Sequence, residues 1–63
     1  MTLAERMMEY RSKELITQGT LAIRCGVSLQ TIYSIEKGLQ EPSLLTKAKI
    51  ERVIGEDTDA NNQ

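Results

Sequence analysis

Only three residues, Gly26-Val27-Ser28, separate two short stretches of helical pattern. A connection that short decides how the helices can meet. It leaves no room for a long antiparallel return, so they must cross sharply. Thr17 can cap the first stretch, because its hydroxyl accepts from the free N–H groups of an opening turn. That helix is expected over Gln18 to Cys25, with Leu21 and Ala22 facing inward. Gly26 stops it, since glycine enters the left-handed region without a Cβ clash. Ser28 caps the second stretch, expected over Leu29 to Lys37, and Gly38 closes it in the same way. Ile32 and Ile35 point to the core.

The flanks also read as helix. Leu3, Met7 and Tyr10 fall on one face of a 3.6-residue repeat, predicting a helix from Leu3 to about Lys13. Thr2 and Glu5 have capping-box spacing. Met7, Met8 and Tyr10 read as core, and Arg6, Glu9 and Lys13 as the solvated side. Pro42 cannot sit in a helix interior. Ser43 then caps a fourth helix from Leu44 to about Ile54, which Gly55 ends. Gly19, in the first turn of the Gln18–Cys25 helix, is unfavourable by about 1 kcal/mol relative to alanine. The expected fold is a compact all-α domain over residues 1–55, followed by an acidic tail, 56–63. The tail holds a single alanine and no larger apolar side chain, so disorder is expected there.

Composition removes whole classes of function. The chain has 63 residues, one cysteine and no histidine. A disulfide staple and a Cys/His zinc site are therefore excluded, and no metal or other cofactor is expected. No apolar run is long enough to cross a bilayer, and the charged start does not resemble a signal peptide. A lone cysteine fits a reducing cytoplasm. Cys25 sits at an apolar position and reads as core packing. Nothing suggests catalysis: there is no histidine base, Gly-rich phosphate loop or carboxylate cluster. No small-molecule pocket is evident.

The net charge is −1, but position matters more than the total. Residues 1–54 hold all eight Lys and Arg and six of the nine acids, a net +2, while the tail carries −3. A weakly positive body can bind DNA, with fewer phosphate contacts than a strongly basic one.

Three spacings sharpen the picture. Ala22 lies four residues after Gln18, where the crossing helices must approach closely. Gly26 follows four later, at the turn. Ile32 comes six after that, with Ile35 one turn on. The run Ile16 to Gly38, with its Thr-Gln, Leu-Ala, Gly-Val-Ser and Ile-x-x-Ile-Glu-x-Gly pieces, is followed by Glu41-Pro-Ser43. It resembles the Cro and phage-repressor (lambda-repressor-like, XRE-like) type of helix-turn-helix regulator, over roughly Leu3 to Ile54.

The resemblance implies four or five helices and sequence-specific binding of double-stranded DNA. It also implies a homodimer on two half-sites about one helical turn apart, acting as a repressor. A bacterial, phage or mobile-element source and a cytoplasmic location go with it. Leu29, Gln30, Thr31, Tyr33 and Ser34 would enter the major groove, with Gln30 able to pair with adenine and Leu29 or Thr31 to pack on a thymine methyl. Thr17, Gln18 and Lys37 would meet phosphate. Arg11 and Glu36 stand where many members have a partly buried salt bridge.

Departures from the pattern also carry expectations. Ile23 occupies a usually polar position, leaving an exposed apolar side chain. No sequence is evident for the fifth helix that some members use to dimerise. The last helix is apolar on several sides, so Leu45, Ile50, Val53 and Ile54 are candidates for contact with a second copy. A covering role for the same residues over the small core weighs equally. The competing functional reading is a protein-interaction module of the same fold: an antitoxin, an antirepressor or a recruiting partner.

Overall fold

A hydroxyl caps every helix. In the computed structural model, which describes residues 1–55, α1 spans Leu3–Glu14, α2 Gln18–Cys25, α3 Leu29–Glu36 and α4 Leu44–Ile54. The expected acidic tail, 56–63, lies outside the described residues. At α1 the Thr2 hydroxyl accepts from the Glu5 N–H at 3.1 Å, and the Glu5 carboxylate accepts from the Thr2 N–H at 2.9 Å. That reciprocal capping box holds the exposed Glu5 carboxyl below its ordinary range, chiefly through the backbone hydrogen bond. Thr17, Ser28 and Ser43 each accept from the N–H three residues on. In all three that residue is a threonine whose own hydroxyl bonds the cap hydroxyl.

The helix ends are less uniform. Gly26 has φ +74°, and the N–H groups of Gly26 and Val27 both bond the Ala22 carbonyl, at 2.9 and 3.0 Å. This overlapping pair closes α2 and turns the chain toward α3. α3 ends at Glu36 rather than Lys37, and the Leu39 N–H bonds the Ser34 carbonyl at 2.8 Å. α1 ends without glycine. Leu15 itself is left-handed, at φ 57° and ψ 46°, a conformation that costs an L-residue about 1–2 kcal/mol. The Ile16 N–H bonds the Arg11 carbonyl at 3.0 Å, and Ile16 packs on the core. Those two gains hold the turn.

Met7, Leu21, Ala22, Cys25, Ile32, Ile35 and Ile50 form the buried core. α2 packs most extensively on α3, α1 lies against α3, and α4 closes the bundle against α1 and α2. Two expectations need correction here. Met8 is exposed rather than core. Arg6 is not on a solvated side: its Nη1 donates to Glu51 Oε2 at 3.1 Å and its Nη2 to the Gly55 carbonyl, pinning the end of α4 to α1.

On α4 the covering role holds for three of the four candidates, Ile50, Val53 and Ile54. Ile50 is fully buried in the chain's own core and cannot meet a second copy in this fold. Val53 and Ile54 pack partly against the same core. Their i, i+3, i+4 spacing makes them one inward seam. The unburied apolar side chains lie at the other end, at Leu44 and Leu45.

Candidate nucleic-acid interface

α3 presents a narrow outer face. Leu29, Tyr33 and Lys37 follow one another at i, i+4 and i+8, and all three are exposed, as is Gln30 beside them. Lys37 lies just past the helix end, with Nζ 5.8 Å from the Tyr33 ring centroid. That is within the range of a cation–π contact. Thr31 is half-buried, and its hydroxyl is 2.9 Å from the Ser28 cap. Ser34 corrects the sequence reading. It is only 5 % exposed, and its hydroxyl accepts from Gln30 Nε2 at 3.2 Å. The residue falls at the edge of the outer arc, where the Gln30 side chain covers it. Its position supports Gln30 and does not offer a contact of its own.

The start of α2 lies against the end of α3, where Gln18 bonds Glu36. Its first N–H groups have no intrahelical partner, and the helix dipole adds a partial positive charge there. Thr17 is exposed but uses its hydroxyl to cap, accepting from the Thr20 N–H at 3.1 Å. Gln18 is half-buried, and its Nε2 donates to Glu36 Oε1 at 2.9 Å. Arg11 approaches the same carboxylate in fork geometry, with Nε to Oε2 at 2.9 Å and Nη2 to Oε1 at 2.8 Å. The Glu36 side chain is 4 % exposed and that of Arg11 23 %. Hydrogen bonding to Glu36 raises the Arg11 guanidinium above its ordinary value. One carboxylate thus joins α1, α3 and the first residue of α2. The sequence reading placed Arg11 with Glu36 but gave Gln18 only to phosphate. The amide's second partner leaves no local spacing signal, because 18 residues separate the two.

This geometry is a pair of crossed helices with one exposed face and an anion-favouring end. The Helix-turn-helix family model matches residues 7–61. The chain belongs to the XRE-like helix-turn-helix family of DNA-binding regulators. An uncharacterized HTH-type transcriptional regulator of Methanocaldococcus jannaschii is 42% identical over 53 residues, covering 84% of this chain and 80% of that one. A similar regulator of Methanothermobacter thermautotrophicus is 43% identical over 49 residues, covering 78% and 71%. One from Archaeoglobus fulgidus is 48% identical over 49 residues, covering 78% and 69%. These relatives are archaeal, where the resemblance suggested bacteria, phages or mobile elements. No solved structure matches the chain.

Within this helix-turn-helix domain α3 is the second helix of the crossed pair. Its outer face carries one cation, Lys37, and two apolar side chains, Leu29 and Tyr33. Ile23, on α2, is exposed as well. Cys25 is fully buried among the apolar residues between the helices, and burial pushes its thiol up. No described helix is long and apolar enough to cross a membrane.

Proposed function

We propose that the chain is a sequence-specific transcriptional regulator that occupies a two-half-site operator as a homodimer and acts as a repressor. The observation that carries this reading is the outer face of α3 together with the N-terminus of α2. Leu29, Gln30, Thr31 and Tyr33 face the bases. Ser34 braces Gln30 through its hydroxyl. The bond uses one of two amide hydrogens, so Gln30 keeps a donor and its carbonyl oxygen for the bidentate pattern of an adenine edge. Leu29 packs on a thymine methyl. Lys37, Thr17 and Gln18 meet phosphate, with Gln18 held in place by Glu36.

A titration of the full chain against duplexes enriched from a random pool, repeated across salt concentrations, tests the reading. Binding should weaken as salt rises, with a shallow slope set by few phosphate contacts. Gln30→Ala should lose about 1–3 kcal/mol at one base position and little elsewhere. An absence of binding at low salt, or binding without salt dependence, overturns it. That outcome would favour the protein-interaction module, which the exposed Ile23, Leu29 and Tyr33 support.

A further inference from the structure

Three exposed leucines lie at the α3–α4 connection and the start of α4. Leu39 follows α3 at 69 % exposure, and Leu44 and Leu45 open α4 at 88 % and 67 %. Leu39 and Leu44 line an open groove of about 830 Å³ between the start of α1 and the α3–α4 connection, together with Leu3, Ile35 and Pro42. We infer that this corner, and not the C-terminal half of α4, is the surface on which two copies of the chain meet. The inference rests on the homodimer reading above and names its interface.

Two observations commit the surface to a second copy. The corner carries both projecting leucines and a groove to receive them. A two-fold contact needs such self-complementarity, because residue i of one copy meets j of the other and j meets i. The corner's charges are also reciprocal. Glu41 and Lys47 both line the groove, both are exposed, and neither forms an ion pair among the described residues. Across a two-fold axis each can meet the other's counterpart.

The patch is small. An ordinary stable interface buries about 800 Å² per partner and involves about 20–30 residues a side, more than three leucines and a groove rim supply. The pair is therefore weak in free solution and strengthens when a duplex holds both copies. Leu39 lies three residues past the end of α3, so the contact sets the spacing of the two groove-reading helices.

The test uses the full chain without DNA. Amide resonances are followed from micromolar to millimolar protein, with sedimentation on the same samples. Concentration-dependent shifts should cluster at residues 39–47, with a dimer at the upper end. Leu44→Glu with Leu45→Glu should keep the folded spectrum, since both side chains are exposed, and should abolish the shifts. Glu41→Lys alone should weaken association, and adding Lys47→Glu should restore it. A monomer at millimolar concentration, shifts centred on Val53 and Ile54, or unchanged association in the double leucine variant would each overturn the inference. DNA binding is read separately by the salt titration, so the two claims fail independently.

Discussion

Leu15 is the residue where local chemistry and observed conformation disagree most. It is left-handed and exposed, so its side chain returns little for the backbone cost. Glycine would remove about 1–2 kcal/mol of that cost and give back about 0.4–1 kcal/mol through a freer unfolded chain. Leu15→Gly should therefore stabilise the domain by about 0.5–1 kcal/mol, read as a higher melting temperature. A lower one would show that the Leu15 side chain packs in solution. The Arg11–Glu36 pair makes a second residue-scale prediction, resting on unequal burial. Arg11→Ala strands a carboxylate that is 4 % exposed with Gln18 as its remaining donor. It should cost about 3 kcal/mol. Glu36→Ala strands a guanidinium with a path to water, and should cost about 1–2 kcal/mol. Denaturant unfolding of both variants gives the order, and the reverse order would mean that Arg11 is the more deeply held partner. Neither the conformation of Leu15 nor this asymmetry was legible in the sequence. A glycine follows each of α2, α3 and α4 within two residues, whereas a leucine in a left-handed turn leaves no mark.

At the scale of the elements, legibility followed locality. Thr2, Thr17, Ser28 and Ser43 could be assigned as caps because a cap and the N–H it holds lie three residues apart. Gly26 and Gly38 could be assigned as stops for the same reason. α4 could be bounded but not oriented. Its apolar residues surround the axis, and only packing against α1 and α2 selects Ile50, Val53 and Ile54 as the inner seam. At the site, Gln30 and Lys37 were readable as outward, but Ser34 sits one step too far around α3. The contrast between two glycines of α2 tests this local logic. A Cβ at Gly19 meets nothing nearer than Thr17 Oγ1 at 3.8 Å. Gly19→Ala should stabilise by about 0.4–1 kcal/mol, through a stiffer unfolded chain and better helix propensity. Gly26 has open space but φ +74°, so Gly26→Ala should destabilise by about 1–2 kcal/mol. Thermal unfolding of the pair decides it, and shifts of the same sign would mean that space rather than backbone angle governs both positions.

At the scale of the whole molecule, the described residues share one core of seven buried apolar side chains, and Cys25 is among them, fully enclosed. Its thiol is pushed up by burial, with Arg52 a lesser opposing influence. The thiolate is the reactive form, so an alkylating reagent should reach Cys25 only when the core opens. The sign of the pH dependence follows. The unfolded thiol ionises above its ordinary value of 9.0, while the folded one holds its proton. This contribution to stability is complete below that pH and is lost as pH rises past it. Labelling rates should therefore be compared below pH 9. There, with opening fast relative to reaction, they report the open population. Arg6→Ala releases α4, and with it Ile50, by removing a bridge whose side chains are 13 % and 18 % exposed together with the bond to the Gly55 carbonyl. A loss of about 1–2 kcal/mol raises the open population about 5–30-fold, and Cys25 labelling should accelerate by that factor. Arg24→Ala removes a bridge to Glu14 at a comparable distance, 3.1 Å, with both side chains near the surface. An exposed pair of this kind contributes at most about 1 kcal/mol and commonly about 0.2–0.5 kcal/mol, so labelling should change by no more than about fivefold and commonly by about twofold or less. The two bridges differ in burial and in what they hold closed. Equal acceleration in both variants would mean that closure of α4 does not limit access to the core.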